Sequence, residues 1–171
     1  IDWTGQDNGW GRGLPPADRN FESWIIQADL LARDELRPTA HDIAAARAQA
    51  LDLLRLRRST PLFSLGSAEL IRERVSFPVC GPQAQPGVIV MVIDDGAGEA
   101  DVDPALDGVV VVLNATPHEI GQRVDALVGR FLVLSDIQAR GSDPVVRETR
   151  FDAATGTVTV PGRTVAVLIE R

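Results

Sequence analysis

The sequence predicts a mainly β protein, an antiparallel β-sandwich preceded by a short α-helical segment. Three observations carry that expectation. All three tryptophans (Trp3, Trp10, Trp24) and all helix-period apolar patterns fall within residues 1–68. Residues 69–171 hold short runs rich in β-branched residues, separated by turn signals at close spacing. No helical pattern intervenes between those runs, which argues for an antiparallel sandwich rather than a parallel α/β sheet. The expected organisation is therefore loop plus helices over 1–68 and a sandwich over 69–171. Charge divides in the same place: a net of −1 before the boundary and −6 after it, from an overall −7.

The elements follow in order. Residues 2–20 are rich in Gly, Asn, Asp and Pro and read as a loop. Phe21, Trp24, Ile25, Ala28 and Leu31 fall on one helical face, which predicts a helix over Phe21–Arg33 with Asn20 as N-cap. Thr39 and Asp42 form a capping pair, Arg55, Arg57 and Arg58 suit the negative end of a helix dipole, and Pro61 stops the run. These predict a helix over Thr39–Ser59 with Ile43, Ala46, Ala50, Leu53 and Leu54 on its apolar face. Alternation over Leu70–Phe77 predicts a strand. Val88–Ile93 and Val109–Leu113 are nearly continuous apolar runs, as expected of strands covered on both faces. Further strands are expected at Glu119–Val124, Arg130–Leu134, Glu148–Phe151, Thr157–Val160 and Thr164–Glu170. Asp152–Gly156 reads as a hairpin loop and Pro161-Gly162 as a turn.

Composition excludes several functions. The chain has 171 residues, 44% apolar and 24% charged, which is enough to bury a core without disulfides or metals. Its acidity argues against nucleic acid and anionic membranes as partners. All 17 basic residues are arginine, so neither a Schiff-base lysine nor a P-loop lysine is present. Cys80 is the single cysteine, which excludes an internal disulfide and a CxxC zinc site. The longest apolar runs are too short to span a bilayer. The opening Ile1-Asp2-Trp3 has no signal-peptide pattern and is expected to lie inside a longer polypeptide, so the sequence reports no compartment.

The search for chemistry yields little. His41 opens a helix, His118 follows Pro117 in a turn, and no GxSxG elbow accompanies either. Gly9, Gly11 and Gly13 lack the strand before and the helix after that a dinucleotide fingerprint requires. Asp94, Asp95, Glu99, Asp101, Asp103 and Asp107 crowd one loop, where hard oxygens could take calcium. EF-hand spacing fails at Ala105, so a solvated, metal-free loop is expected and calcium is the alternative. The sandwich has Phe77, Phe131 and Phe151 but no tryptophan, and the chain has no tyrosine, so a sugar-stacking platform there is poorly supported. Trp3 and Trp10 are the better stacking candidates, against a reading as apolar plugs under a loop.

Several segments carry a resemblance. Ile1-Asp2-Trp3-Thr4-Gly5-Gln6-Asp7-Asn8-Gly9-Trp10 with Gly13-Leu14-Pro15-Pro16 resembles the end of the catalytic barrel in pullulanase-type α-1,6-glucosidases. Leu53–Phe63 resembles their last barrel helix and its exit. Pro86–Gly96, Asp107–Val111, Asn114-Ala115-Thr116-Pro117 and Pro161–Val167 resemble their C-terminal domain. The resemblance implies a parent enzyme that cleaves α-1,6 bonds in pullulan, starch or dextrins by a retaining mechanism. Such a mechanism needs two carboxyl groups about 5 Å apart at the C-terminal ends of barrel strands. Those strands lie upstream of Ile1 in the family, so no catalytic residue is carried over and no cofactor is implied. Trp3, Trp10 and Arg12, near the last barrel loop in sequence, are the candidate substrate-binding residues. The implied role is a non-catalytic domain that packs against the barrel of the parent chain and meets α-glucan only through it. An autonomous carbohydrate-binding module is the alternative. The apolar helix faces, cut off from barrel strands, are expected to dock on the sandwich and leave a patch that favours dimers at high concentration.

Overall fold

A computed structural model describes residues 16–97 and 101–171 of the chain. It divides into two compact units, Ile1–Ala50 and Leu51–Arg171. Among the described residues, no helix is long and apolar enough to cross a membrane.

The first helix, α1, spans Ala17–Leu31, with Pro16 at its N-cap. Asn20 is therefore not the cap. It lies one turn inside, where its side-chain amide donates to the Pro16 carbonyl at 3.0 Å. Pro16 takes the position because a proline is preset in φ and lacks the N–H that the first turn leaves unpaired. The second helix, α2, spans Ala40–Arg57. The expected capping pair is present: Asp42 accepts from the Thr39 backbone N–H at 2.8 Å and from its hydroxyl at 2.7 Å, while the Asp42 N–H donates to the Thr39 hydroxyl at 3.2 Å. These bonds, the backbone one foremost, hold the Asp42 carboxyl below its ordinary pKa. On the expected apolar faces Trp24, Leu31 and Ile43 are half-buried. Helix α1 buries no residue, and Leu53 and Leu54 of α2 are exposed, as are Ala46 and Ala50. The one buried residue of α2 is Leu56.

Ala68–Arg74 is a helix, α3, and not the expected strand; β1 is reduced to Val75–Ser76. Ser67 caps α3, its hydroxyl accepting from the Leu70 N–H at 3.2 Å. Glu69 in the first turn and Arg72 and Arg74 in the last complement the helix dipole. Seven residues are few enough that alternation and one helical stripe coincide.

The remaining strands are β2 (Val88–Asp94), β3 (Gly108–Asn114), β4 (Ile120–Arg123), β5 (Leu132–Leu134), β6 (Arg150–Asp152), β7 (Thr157–Val160) and β8 (Thr164–Glu170). A one-turn helix, α4 (Asp136–Ala139), follows β5. All pairings are antiparallel. One sheet has the order β1-β2-β3-β8-β5 and the other β4-β7-β6, so the last strand sits inside the larger sheet between β3 and β5.

The core between the sheets contains Val90, Val92, Val110, Val112, Ala166 and Leu168 from the large sheet and Val158 and Val160 from the small one. The two outer faces differ in chemistry. On the small sheet, Gly121, Thr159 and Arg150 stand in register, as do Arg123, Thr157 and Asp152, and their neighbours Val158 and Val160 point into the core. That outer face is polar. On the large sheet the outer rows are Ile89-Leu113-Val165, Met91-Val111-Val167 and Ile93-Val109-Ile169-Val133. Every member is apolar. Leu56, Leu62, Phe63 and Leu65 pack over this face, and Val109, Val167 and Ile93 beneath them are buried. The row at the far end is covered in part: Leu113 packs against this cluster, while Ile89 is 51% and Val165 42% exposed.

Candidate functional site

Trp3, Trp10 and Arg12 lie outside the described residues. Among those described, the one ring–ring contact joins Phe21 and Trp24, with centroids 5.6 Å apart and planes tilted by 51°, which is not a flat platform. Phe131 stands out at 81% exposure, at the entry to β5. His41, His118 and Cys80 are all exposed.

Glu99 lies outside the described residues, and the carboxylates of Asp94, Asp95 and Asp103 are each engaged. Asp95 is buried and pairs with the buried guanidinium of Arg74, which also donates to the Asp95 carbonyl. The Asp95 carboxylate further accepts from the Val102 N–H at 3.2 Å and the Asp103 N–H at 2.7 Å. Asp103 accepts from the Thr60 hydroxyl at 2.5 Å and the Ala105 N–H at 3.1 Å. Asp94 and Glu170 share Arg130. Burial lowers the Arg130 pKa, but the bond and charge of Glu170, with Asp94, outweigh it and hold the pKa above its ordinary value. The loop is thus tied by Arg74 to α3, by Thr60 to the segment after α2, and by Arg130 to the entry of β5. A cavity of about 260 Å³ beside it is lined by Asp95, Gly96, Asp101, Asp103, Leu106 and Asp107, among others. Among the described residues, no three or more acids, histidines and cysteines are grouped to hold a metal.

A buried asparagine among the described residues ties distant segments together. Asn114 ends β3 on the inner face of the large sheet and is 2% exposed. Its amide nitrogen donates to the carbonyls of His118 (2.8 Å), Val160 (3.1 Å) and Pro161 (2.9 Å). Its oxygen accepts from the Thr116 N–H at 3.0 Å and the Thr116 hydroxyl at 2.7 Å. The Arg163 N–H donates to the Thr116 carbonyl at 2.8 Å, and the Ala115 N–H to the Gly87 carbonyl at 2.8 Å. A Cβ on Gly162 would stand 2.5 Å from the Pro117 carbonyl, so only glycine allows that approach. Three segments quoted separately for their resemblance, around Gly87, Asn114–Pro117 and Pro161–Thr164, therefore meet at one corner and join the two sheets. Sequence signalled the segments but not their meeting, because Asn114 reaches carbonyls 46 and 47 residues away.

A second clasp lies under α2. Asp52 accepts from the Ser142 N–H at 2.7 Å and the Ser142 hydroxyl at 2.8 Å, and pairs with Arg55 at 2.7 Å. The Ser142 backbone bond foremost, then its hydroxyl, keeps the Asp52 carboxyl below its ordinary pKa.

Clasps, a corner and an apolar sheet face are what the described residues assemble. Comparison with known proteins agrees with the segments that carried the resemblance. Residues 5–171 match the family described as alpha-1,6-glucosidases, pullulanase-type, C-terminal. Pullulanase 1, chloroplastic, of Arabidopsis thaliana is 38% identical over 174 residues, which cover 99% of this chain and 18% of that protein. Pullulanase of Klebsiella pneumoniae is 35% identical, over 98% of this chain and 15% of its own length. The crystal structure of PulA from Klebsiella oxytoca superimposes with a TM-score of 0.85 at 32% identity, over 99% of this chain and 16% of that one. The chain spans 15–18% of the length of these two curated relatives. Matched across nearly its whole length by sequence and by fold, the chain belongs to the C-terminal family of pullulanase-type α-1,6-glucosidases.

Proposed function

We propose that this chain is the non-catalytic C-terminal part of a pullulanase-like debranching enzyme, which hydrolyses α-1,6-glucosidic bonds in pullulan, starch or dextrins, and that it packs against and stabilises the enzyme's catalytic barrel. Residues 1–68 are the end of that barrel and 69–171 the sandwich domain. The barrel supplies the carboxylate pair that bond cleavage needs. The observation that carries the packing role is the outer face of the large sheet, apolar in every row and only partly covered at one end. Water is a poor neighbour for such a face, whereas a second domain is a good one. The acids also support a structural role: Asp95, Asp103, Asp94 and Glu170 bond arginine, hydroxyl and amide partners.

The test is direct. The purified chain is expected to release no reducing sugar from pullulan above buffer, and reducing-sugar release would overturn the non-catalytic reading. Its migration in native gels is expected to be unchanged by pullulan in the matrix. Retardation lost on Phe131→Ala would replace this reading with a carbohydrate-binding module built on the most exposed ring.

A further inference from the structure

One buried hydroxyl of the sandwich is left idle. Ser135 follows β5 and is 5% exposed. Its backbone is fully used: the N–H donates to the Val167 carbonyl at 2.8 Å, and its carbonyl accepts from the Gln138 and Ala139 N–H groups at 2.9 and 2.8 Å. Its side chain stands at the N-cap of α4 but makes no capping bond, and no described residue bonds the hydroxyl. A hydroxyl held largely out of water without a partner costs stability unless something occupies the space before it. That space is a cavity of about 260 Å³, lined by Ser59, Asp103, Ser135, Asp136 and Arg171 among others.

We propose that this cavity binds one neutral polyhydroxylated ring, a hexose or a cyclitol. The lining complements both parts of such a molecule. Asp103 and Asp136 offer acceptors, Arg171 offers donors, and the hydroxyls of Ser59 and Ser135 act as either. Leu106, Ile137 and Ile169 add aliphatic wall, which suits the C–H faces of a ring. Charge and size narrow the class. Asp136 lies 3.3 Å from Arg171 and 3.9 Å from Arg140, and Asp103 accepts from Thr60 and Ala105. The two carboxylates repel an anion, and among the described residues no three acids, histidines and cysteines are grouped to hold a metal. A neutral ligand remains. The volume lies below the roughly 300–1,000 Å³ of pockets for larger ligands, as fits a single ring. A site for one ring does not hold the interior of a polymer, so migration in pullulan gels is still expected to be unchanged. The lining falls within the second compact unit, and the proposal is independent of the packing role.

The experiment titrates the 171-residue chain with D-glucose, myo-inositol and glycerol, read by saturation-transfer NMR and by melting temperature. Two variants accompany it: Ser135→Ala, which removes the idle hydroxyl, and Ala105→Leu, which fills the cavity from an exposed position on its wall. Without ligand both are expected to melt within about 2 °C of the parent, because neither breaks a bond of the fold. At least one of the two rings is expected to saturate the parent at about millimolar affinity. Ser135→Ala is expected to weaken that binding about fivefold or more, the loss of one neutral hydrogen bond, and Ala105→Leu to abolish it. Saturation by glucose alone marks a sugar site, and by inositol alone a cyclitol site. Polyols also raise melting temperatures by exclusion from protein surfaces, and that effect acts alike on parent and variants. An equal rise in all three proteins without saturable NMR signal would therefore overturn the proposal. So would saturation by glycerol but by neither ring, or ring binding that both variants leave unchanged. A fall of several degrees in ligand-free Ser135→Ala would also overturn it, because the hydroxyl would then serve the fold.

Discussion

Removing the Asn114 side chain tests the corner at its centre. In Asn114→Ala the carbonyls of Val160 and Pro161, both in buried bonds to the amide, lose their donor, and Thr116 loses its acceptor. A buried polar group left without a partner costs about 1–3 kcal/mol. Two such carbonyls therefore cost about 2–6 kcal/mol, and partial hydration of the more exposed Thr116 and His118 groups adds little. We expect about 3–5 kcal/mol, a large share of the roughly 5–15 kcal/mol that a domain has in total. For a chain of this size that is a fall in Tm of about 10–15 °C. Asn114→Asp is nearly isosteric but turns a carboxylate toward carbonyl oxygens, and is expected to cost at least as much at neutral pH. Its folded state favours the protonated acid, so its pKa rises on folding and part of the loss returns as pH falls. Far-UV circular dichroism is the suitable probe, because the tryptophans all precede the sandwich in the chain. A Tm within about 3 °C of the parent for Asn114→Ala would refute the argument, and so would a pH-independent deficit for Asn114→Asp.

Three further outcomes concern the Arg74–Asp95 pair, the Gly162 turn of the same corner and the Asp52 clasp. Arg74→Met leaves the buried Asp95 carboxylate without its cation and is expected to cost about 3–5 kcal/mol in urea denaturation; pairing it with Asp95→Asn should recover part of that, and a deficit unchanged in the double variant would show that the charge is not the cause. Gly162→Ala drives a Cβ to 2.5 Å from the Pro117 carbonyl, so a Tm lowered by several degrees is expected, while a neutral result would mean that the turn at 117 yields freely. The Asp52 carboxyl has its pKa lowered by Ser142 from an ordinary 3.8, so its contribution is present above about pH 4 and is lost as pH falls through the folded value. The Tm gap between the parent and Asp52→Asn should therefore close on acidification, and a gap constant from pH 6 to pH 2 would remove Asp52 from the acid limb.

The strands of the sandwich were readable because their runs of valine and isoleucine have few other uses, and β7 and β8 match the expected spans to the residue. The capped start of α2 was readable because Thr39 and Asp42 act on each other within one turn. Over Leu70–Phe77 the short alternation coincides with the stripe of a capped helix of about two turns, and Ser67 is the residue that signals the helix. The apolar faces of α1 and α2 were read correctly as patterns, but a pattern names no partner, and Leu56 rather than Leu53 or Leu54 reaches the sheet. Asn114 was invisible for a different reason. Its role exists only once β3 and β7 are brought together, and nothing local distinguishes it from an asparagine in any turn. The candidate substrate residues Trp3, Trp10 and Arg12 lie outside the described residues.

The place of β8 bears on how the protein is made. Synthesis runs from β1 onward, and β3 waits 50 residues, from Asn114 to Thr164, for the neighbour that zips along it in register. Until then the nascent chain carries β2 and β3 as a hairpin with one bare hydrogen-bonding rim and valines on both sides. Such a rim pairs readily with any extended strand it meets, including one on a neighbouring ribosome. β5 is in the same position, since among the described residues its one strand partner is also β8. Emergence of Thr164–Glu170 is thus the event that closes the sheet, and a chain cut before Thr164 would leave both strands open.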